Sequence, residues 1–270
     1  MLNLKSIFSV ALVATLITAI PAHAEEIIKL ATTTSTENSG LLKNLLPRFE
    51  AESGYQVQVI ATGTGKALKL ARQGDVDVIM THAPAAEAKF VDAGYGLLPR
   101  GIMMNDFVIL GPQHDPANIR SSKTVEQAFA KIAQSGELFI SRGDNSGTYM
   151  KEQIIWKNAQ VDPSFTGYKS VGQGMGKTLL MANELQGYTL SDRGTFVAYK
   201  AKLDMAIDFD GGQALANPYQ IMLINPAKYP DLNHKGARAL SDWLIGAEAQ
   251  GMINRYKVKG EQLFKATYSE

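Results

Sequence analysis

The sequence predicts an α/β protein made of two lobes with a ligand cleft between them. Apolar runs of strand length alternate with helical patterns along the chain, which is typical of βαβ units around mostly parallel sheets. Two longer extended stretches, around residues 102–111 and 217–226, interrupt this alternation and predict crossings between the lobes. Three small polar or glycine-rich turns join a strand to a helix, and ligands of open α/β sheets bind beyond such strand ends. One continuous doubly wound domain is the alternative organisation.

The predicted first lobe comprises residues 25–107 and 217–270. Its strands are IIKLATTT, YQVQVIATG and VDVIMTH. A helix follows each of the first two strands, with apolar side chains recurring three and four residues apart, and the second of these helices ends at Gly74. Two more helices are predicted at residues 234–246 and 247–257.

The predicted second lobe comprises residues 108–216. Its elements are, in order, the helix TVEQAFAKIAQSG, the strand ELFISRG, the helices SGTYMKEQIIWKNA and GMGKTLLMANEL, and the strand MAIDFD. A protein of two such lobes binds its ligand in the cleft between them and closes around it.

The first 24 residues predict export. They contain the basic residue Lys5, an apolar run from Ile7 to Ile20, and a small-residue end at Ala22-His23-Ala24. These are the three parts of a secretory signal peptide, so residues 1–24 are predicted to be removed and the mature chain to reside in the periplasm. An uncleaved anchor is the alternative, but the apolar run is shorter than the ~20 residues of a membrane helix.

Composition excludes several classes of function. The chain has 27 Lys and Arg against 26 Asp and Glu, and without Lys5 its formal net charge is zero. Nucleic-acid and membrane-surface binding usually need a basic face, so neither is expected. The absence of cysteine excludes disulfides, thiol nucleophiles and Cys–zinc sites. His82, His114 and His234 lack metal-ligand spacing, and each is predicted to be a surface or turn residue. We expect no cofactor and no metal cation.

The three turns predict an anion site, because a helix N-terminus offers unpaired amides and a favourable dipole to an anion. The first turn contains five consecutive hydroxyl residues, Thr32 to Thr36, although a helix cap needs only one. The second places Arg142 at a strand end, and the arginine fork suits oxyanions. The alternative for the first turn is a solvated loop. The alternative for the second is a surface pair of Arg142 with Asp144 beside a helix cap.

The third turn, GQGMGKT, is similar to a nucleotide-binding P-loop. The P-loop needs a glycine where this chain has Val171, so the pattern is incomplete and ATP binding is not expected. Glycines let the backbone approach an anion closely. Lys177 either reaches that anion or points to water.

Taken in order, TTTSTENSGLL, GTGKAL, THAP, SRGDNSGT, VGQGMGKTL and YTLSDRGT resemble the TupA-like tungstate-binding proteins of ABC importers. The resemblance runs from about residue 28 to 225. It implies a type II periplasmic binding-protein fold, tungstate or molybdate as the ligand, and an ABC permease with its ATPase as the partner. The implied oxyanion ligands are Thr33, Thr34, Ser35, Thr64, Arg142, Ser146, Gly147, Thr148, Met175, Gly176 and Lys177. A small residue is expected in this family at position 177, so the role of Lys177 is open.

The chemistry of the ligand agrees with the resemblance. Tungstate and molybdate are fully deprotonated at neutral pH, so their site needs only hydrogen-bond donors. Phosphate keeps a proton part of the time and benefits from a carboxylate acceptor. Hydroxyls, amides and one arginine therefore favour tungstate, whereas Asp144 facing the cleft would favour phosphate.

Other functions remain as alternatives. An enzyme is not expected, because the sequence contains no G-x-S-x-G elbow and no metal motif. A phosphate receptor or another anion receptor of the same fold is the main alternative. An amino-acid receptor is the next, with an arginine for the carboxylate and Asp192 or Asp144 for the ammonium group. We expect the mature protein to be a monomer.

Overall fold

The strand β4 (Gly96–Pro112) runs through both halves of the protein in the computed structural model, which describes residues 26–268. From Gly96 to Asp106 it pairs with β9 (Ala216–Ile224). From Phe107 onward it pairs with the two strands β7 (Thr189–Asp192) and β8 (Met205–Phe209). The predicted crossings are therefore adjacent strands of one sheet, and the change of partners falls between Asp106 and Phe107. The predicted lobe boundaries at 107/108 and 216/217 stay a prediction.

In the first half, β1 lies between two parallel neighbours, and the sheet order is β12–β4–β9–β3–β1–β2. The antiparallel partner of β3 is β9. The strands are β1 (Ile27–Thr33), β2 (Gln56–Thr62), β3 (Val78–Thr81), β10 (Lys257–Val258), β11 (Glu261–Gln262) and β12 (Lys265–Ala266). The helices are α1 (Thr34–Asn38), α2 (Leu41–Ser53), α3 (Thr64–Gln73), α4 (Pro84–Asp92), α9 (His234–Ile245) and α10 (Ala247–Arg255).

In the second half, β4 lies between β7 and β8, and a bridge between Phe139 and Tyr188 connects β7 to a further parallel strand pair. That pair consists of β5 (Phe139–Ser141) and β6 (Tyr168–Ser170). The helices are α5 (Val125–Ser135), α6 (Gly147–Asn158), α7 (Met175–Glu184) and α8 (Arg193–Tyr199). Short 3-10 turns occupy Ile119–Ser121, Lys200–Lys202 and Gln213–Leu215.

The largest apolar core cluster extends through both halves, and each half adds a smaller cluster of its own. In the second half this smaller cluster includes aromatic rings, with the Trp156 ring centroid 4.3 Å from that of Phe129 and 5.1 Å from that of Phe139. Trp156 lies on the inner face of α6, so burial of this ring fixes the helix against the sheet. The start of α6, which follows Arg142, is positioned by this packing.

The helix starts follow from the sequence. Three polar side chains cap helices at their N-termini: Thr33 caps α1, Ser146 caps α6 and Asp192 caps α8. Each of them accepts a hydrogen bond from an amide in the first turn of its helix. All three caps directly follow or lie near strand ends, which places them at the edge of the sheet where a ligand binds. The predicted α/β fold class is confirmed.

Two observations concern membranes and targeting. The predicted signal peptide, residues 1–24, lies outside the described residues. Within residues 26–268, no helix is both long enough and apolar enough to cross a bilayer.

Candidate anion-binding site

A small cavity lies where the two halves meet. Its volume is about 10 Å³, and a cavity that holds a single water needs about 10–15 Å³. The space is therefore about that of one water molecule, and any larger ligand, a tetrahedral oxyanion included, needs the lining residues to move apart. The lining residues are Thr33, Thr34, Ser35, Thr62, Gly63, Thr64, His82, Arg142, Ser146, Gly147 and Thr148.

The hydroxyl run after β1 supplies one wall of the cavity. Thr33 Oγ1 caps α1 and lies 3.0 Å from Ser35 Oγ and 2.7 Å from Thr36 Oγ1. Thr33 and Ser35 are buried and Thr34 is half-buried. Because these hydroxyls are hydrogen-bonded to one another, they are held in place before any ligand binds, and rotation of each O–H decides whether it donates to the cavity.

Thr64 and Gly147 bring the two halves into close approach. A Cβ atom on Gly147 would lie 3.2 Å from Thr64 Oγ1 and 3.0 Å from His82 Cε1, so this first residue of α6 has room for glycine only without local movement. Beside it, the amide of Gly65 donates to the carbonyl of Asn145 at 3.1 Å. The buried hydroxyl of Thr64 has no hydrogen-bond partner among the described residues.

Arg142 is the cation of the cavity. It follows β5, and only 5% of its side chain is exposed. Its Nη2 atom donates to Asp144 Oδ2 at 2.6 Å, and Asp144 Oδ1 accepts from the Ser146 amide at 3.1 Å. Asp144 does not line the cavity. The side chain of Asp144 therefore braces Arg142 and the start of α6, which answers the question that the sequence left open.

The Nε donor of Arg142 is unused. Within residues 26–268 the buried Nε atom of Arg142 has no hydrogen-bond partner. Buried donors are nearly always paired, and an unpaired one costs free energy. Arg142 and Thr64, which line the same cavity, thus each hold an unpaired donor, as expected of a site that an oxyanion completes.

A buried carboxylate supports the Arg142 turn from behind. Ser141 Oγ donates to Glu152 Oε2 at 2.8 Å and accepts from the Gly143 amide at 3.2 Å. Tyr168 and Trp156 donate to Glu152 Oε1 at 2.9 and 3.2 Å. Burial raises the pKa of Glu152 to about 7, although these hydrogen bonds oppose the rise.

The prediction that His82 is a surface or turn residue is wrong. His82 follows β3, is 4% exposed and lines the cavity. Its Nε2 atom lies 3.3 Å from Ser35 Oγ, and its Nδ1 atom lies 2.8 Å from Asn217 Oδ1. The hydroxyl run was found because ligands bind beyond the carboxyl ends of strands, and the same rule applies to His82. Since β3 is the parallel neighbour of β1, the carboxyl ends of both strands lie at the same edge of the sheet. Thr62 and Gly63, at the end of β2, were missed in the same way.

The glycine-rich turn lies beside the cavity rather than in its wall. Met175, Gly176 and Lys177 line a wider groove of about 270 Å³ together with Gln173 and Tyr199. Thr34 and Ser35 border both spaces, so the groove and the cavity are neighbours. Met175 and Gly176 are buried, whereas Lys177 is exposed.

The structure thus groups eight of the predicted ligands around one cavity and puts the other three in the adjoining groove. Within residues 26–268, no group of three or more His, Asp or Glu side chains is arranged to hold a metal ion. The chemistry of the cavity is that of hydroxyl, amide and guanidinium donors around a small space.

Comparisons with known proteins give relatives along most of the chain. A family model described as a PBP superfamily domain matches residues 19–248. The tungstate-binding protein TupA from Peptoclostridium acidaminophilum is 42% identical over 236 residues, which are 87% of this chain and 82% of that protein.

Two solved structures are similar in both sequence and fold. The tungstate ABC transporter structure from Geobacter sulfurreducens is 50% identical with a TM-score of 0.79, and the match covers 86% of this chain and 99% of that one. The tungstate-binding protein TupA from Desulfovibrio alaskensis G20 is 40% identical with a TM-score of 0.81, and the match covers 90% of this chain and 100% of that one.

Proposed function

Since the chain belongs to the PBP superfamily and, within it, to the TupA-like tungstate-binding proteins, we propose that it is the periplasmic solute-binding component of an ABC importer. Its ligand is tungstate, and molybdate has the same charge and nearly the same size. It acts as a monomer that delivers the anion to a permease, whose ATPase drives import, and it catalyses no reaction itself.

The observation that carries this proposal is the unpaired Nε–H of Arg142 in a cavity of hydroxyl groups. A dianion that enters so small a space loses its water, and it needs a countercharge and several donors in return. Arg142 provides the countercharge, and the hydroxyls of Thr33, Ser35 and Thr64 provide neutral donors. The remaining lining residues, Thr34, Ser146, Gly147 and Thr148, add hydroxyls and the amides of the first turn of α6.

The same cavity disfavours phosphate and amino acids. Among the described lining residues there is no carboxylate, and the nearest candidate, Asp144, is hydrogen-bonded to Arg142 and to the Ser146 amide. Asp192 caps α8 and accepts from the Thr195 amide and hydroxyl at 2.8 and 2.7 Å. An ammonium group or a protonated phosphate would need the carboxylate of Asp144 or Asp192 as an acceptor. Both carboxylates are instead hydrogen-bonded within the protein.

Calorimetry of the mature protein against a panel of ligands tests the proposal. We expect tungstate and molybdate to bind, and phosphate and a mixture of amino acids to give no heat at the same concentrations. Sulfate is the matched control, because it is also a tetrahedral dianion without a proton but is smaller. Phosphate binding more tightly than tungstate would contradict the assignment of the ligand, and amino-acid binding would contradict the assignment of the ligand class.

A further inference from the structure

His82 is the lining side chain whose role depends on a proton. Its Nδ1 atom faces Asn217 Oδ1 at 2.8 Å, and Asn217 Nδ2 donates to Asn105 Oδ1 at 2.7 Å and to the Tyr219 hydroxyl at 3.2 Å. With the amide of Asn217 oriented in this way, Nδ1 of the imidazole carries a hydrogen. In neutral His82 the other nitrogen, Nε2, is therefore an acceptor.

Neutral His82 and Thr33 both offer an acceptor to the Ser35 hydroxyl proton, since Nε2 lies 3.3 Å and Thr33 Oγ1 lies 3.0 Å from Ser35 Oγ. Where Nε2 accepts that proton, Ser35 Oγ presents lone pairs to the cavity. Lone pairs repel a fully deprotonated oxyanion, which can only accept hydrogen bonds. When Nε2 is protonated, the hydrogen bond reverses. Nε2–H donates to Ser35 Oγ, and the Ser35 hydroxyl is free to donate to an anion oxygen.

The charges around His82 favour the neutral form in the empty cavity and the charged form in the filled one. Burial lowers the pKa of His82; the hydrogen bond to Asn217 and the charge of Asp192 oppose this, and the charge of Arg142 adds to it. The Tyr219 ring stacks on the imidazole with centroids 4.6 Å apart, and burial raises the pKa of Tyr219 well above its usual range, so its hydroxyl stays neutral. A dianion in the cavity adds two negative charges beside this ring. It stabilises the imidazolium, as does the face of Tyr219.

Building on the proposed function, we propose that His82 is a further anion-binding residue that takes up one proton when tungstate binds. The proton comes from the solvent and stays on Nε2, so no covalent bond of the anion changes. Arg142 and protonated His82 then supply two positive charges to a dianion, whereas Arg142 alone supplies one.

Calorimetry in two buffers of different ionisation enthalpy, Tris and HEPES, measures the number of protons taken up. At a pH between the pKa of the empty form and that of the filled form, we expect close to one proton per tungstate for the unchanged protein and none for His82→Gln, whose side-chain amide keeps a donor but does not titrate. Between the pKa of the empty form and that of the filled form, the affinity of the unchanged protein should fall about tenfold per pH unit. The affinity of His82→Gln should not change with pH. His114→Gln, at an exposed histidine, is the matched control and should behave as the unchanged protein does.

A second measurement does not depend on the variant. NMR titration of the His82 ring Cε1–H resonance, with and without tungstate, should show a higher midpoint in the complex. Tungstate binding without proton uptake and with an unchanged midpoint would overturn the role of His82 while leaving the proposed function intact. No binding of tungstate or molybdate at any pH between 6.5 and 9 would contradict the proposed function and the role of His82 together.

Discussion

The turns that precede α6 and α7 have similar sequences but different surroundings. Both are polar and glycine-containing, both lead into a helix, and each has a basic residue nearby, since Arg142 precedes α6 and Lys177 lies in the first turn of α7. Arg142 is buried, braced by Asp144 and left with an unpaired donor, whereas Lys177 is exposed at the border of a wide groove. The start of α6 therefore lines a small cavity, whereas the start of α7 borders a wide groove, and we expect an anion to bind strongly at the first and not at the second.

The largest expected effect comes from the charge at the α6 turn. Removing one member of a buried charge pair typically costs ~2–5 kcal/mol, so Arg142→Ala should weaken tungstate binding by roughly 30- to 4000-fold. Arg142→Lys should recover only part of this loss, because lysine lacks the planar fork. Calorimetry at fixed salt measures the affinities. Binding by Arg142→Ala within threefold of the unchanged protein would show that the site lies elsewhere.

A second effect, on stability, concerns the carboxylate behind the same turn. The pKa of Glu152 is raised to about 7 in the folded protein, above its usual 4.5, so between these values the native state binds more protons than the unfolded state. The free energy of unfolding should therefore fall as the pH rises from 5 to 8, by roughly 2–3 kcal/mol from this group. In Glu152→Gln this contribution should vanish. Denaturant unfolding at several pH values measures it, and equal pH profiles for the two proteins would refute the assignment.

A methyl group added at the start of α6 or of α7 tests how tightly each helix start is enclosed by its surroundings. Gly147→Ala puts a Cβ atom 3.0 Å from His82 Cε1, whereas at Gly174, the cap of α7, a Cβ atom meets no described atom within 4 Å. Overpacking typically costs ~1–3 kcal/mol, and this cost falls on the arrangement in which the two halves enclose the ligand, so we expect about 5- to 150-fold weaker tungstate binding for Gly147→Ala. Gly174→Ala should bind within threefold of the unchanged protein. Equal effects of the two substitutions would contradict the difference between the turns.

A smaller effect separates the cavity from the groove. Thr64→Val removes a hydroxyl that has no partner within the described chain, so tungstate binding should weaken about 2- to 12-fold, while the stability of the empty protein should not fall. Thr195 lines the groove, and its hydroxyl donates to Asp192. Thr195→Val removes this hydroxyl, so the stability of the protein should fall and tungstate binding should change little. Thermal unfolding and calorimetry of both variants check the pattern. The reverse pattern would place the anion in the groove.

The smallest effect is expected at Lys177. Its exposed side chain is screened by water and salt, so Lys177→Ala should change the affinity for tungstate by less than threefold. Titration at 20 and 200 mM salt distinguishes long-range attraction, which weakens with salt, from direct contact. A loss as large as that of Arg142→Ala would make Lys177 a ligand.

The sequence predicted the fold class and the family, and the structure and the relatives confirm both. Alternating periodicity identifies strands and helices, and strand ends identify an edge where side chains converge, which is why Thr33 and Arg142 were found. The position of His82 after a strand is compatible with the border of the cleft, but its burial against Ser35 was not predicted, because burial of a single histidine depends on contacts distant in the chain, such as that with Asn217.

Other features of the site lie beyond local sequence. Asp144 is two residues from Arg142 whether it braces the guanidinium or faces a ligand, and only the fold selects the first arrangement. The separation of Met175 to Lys177 from the cavity likewise depends on how α7 packs against α8 and β5, which no pattern of glycines encodes.

The hydrogen bond from the Gly65 amide to the Asn145 carbonyl joins the two halves beside the cavity. The donor belongs to α3 in the first half, and the acceptor belongs to the Arg142 turn in the second, so we expect an anion bound in the small cavity to leave when this bond and its neighbours separate. We expect the dissociation rate to follow the opening of the halves rather than the identity of the anion, so tungstate and molybdate should leave at similar rates in stopped-flow experiments. A permease that pulls the halves apart would then set the moment of release.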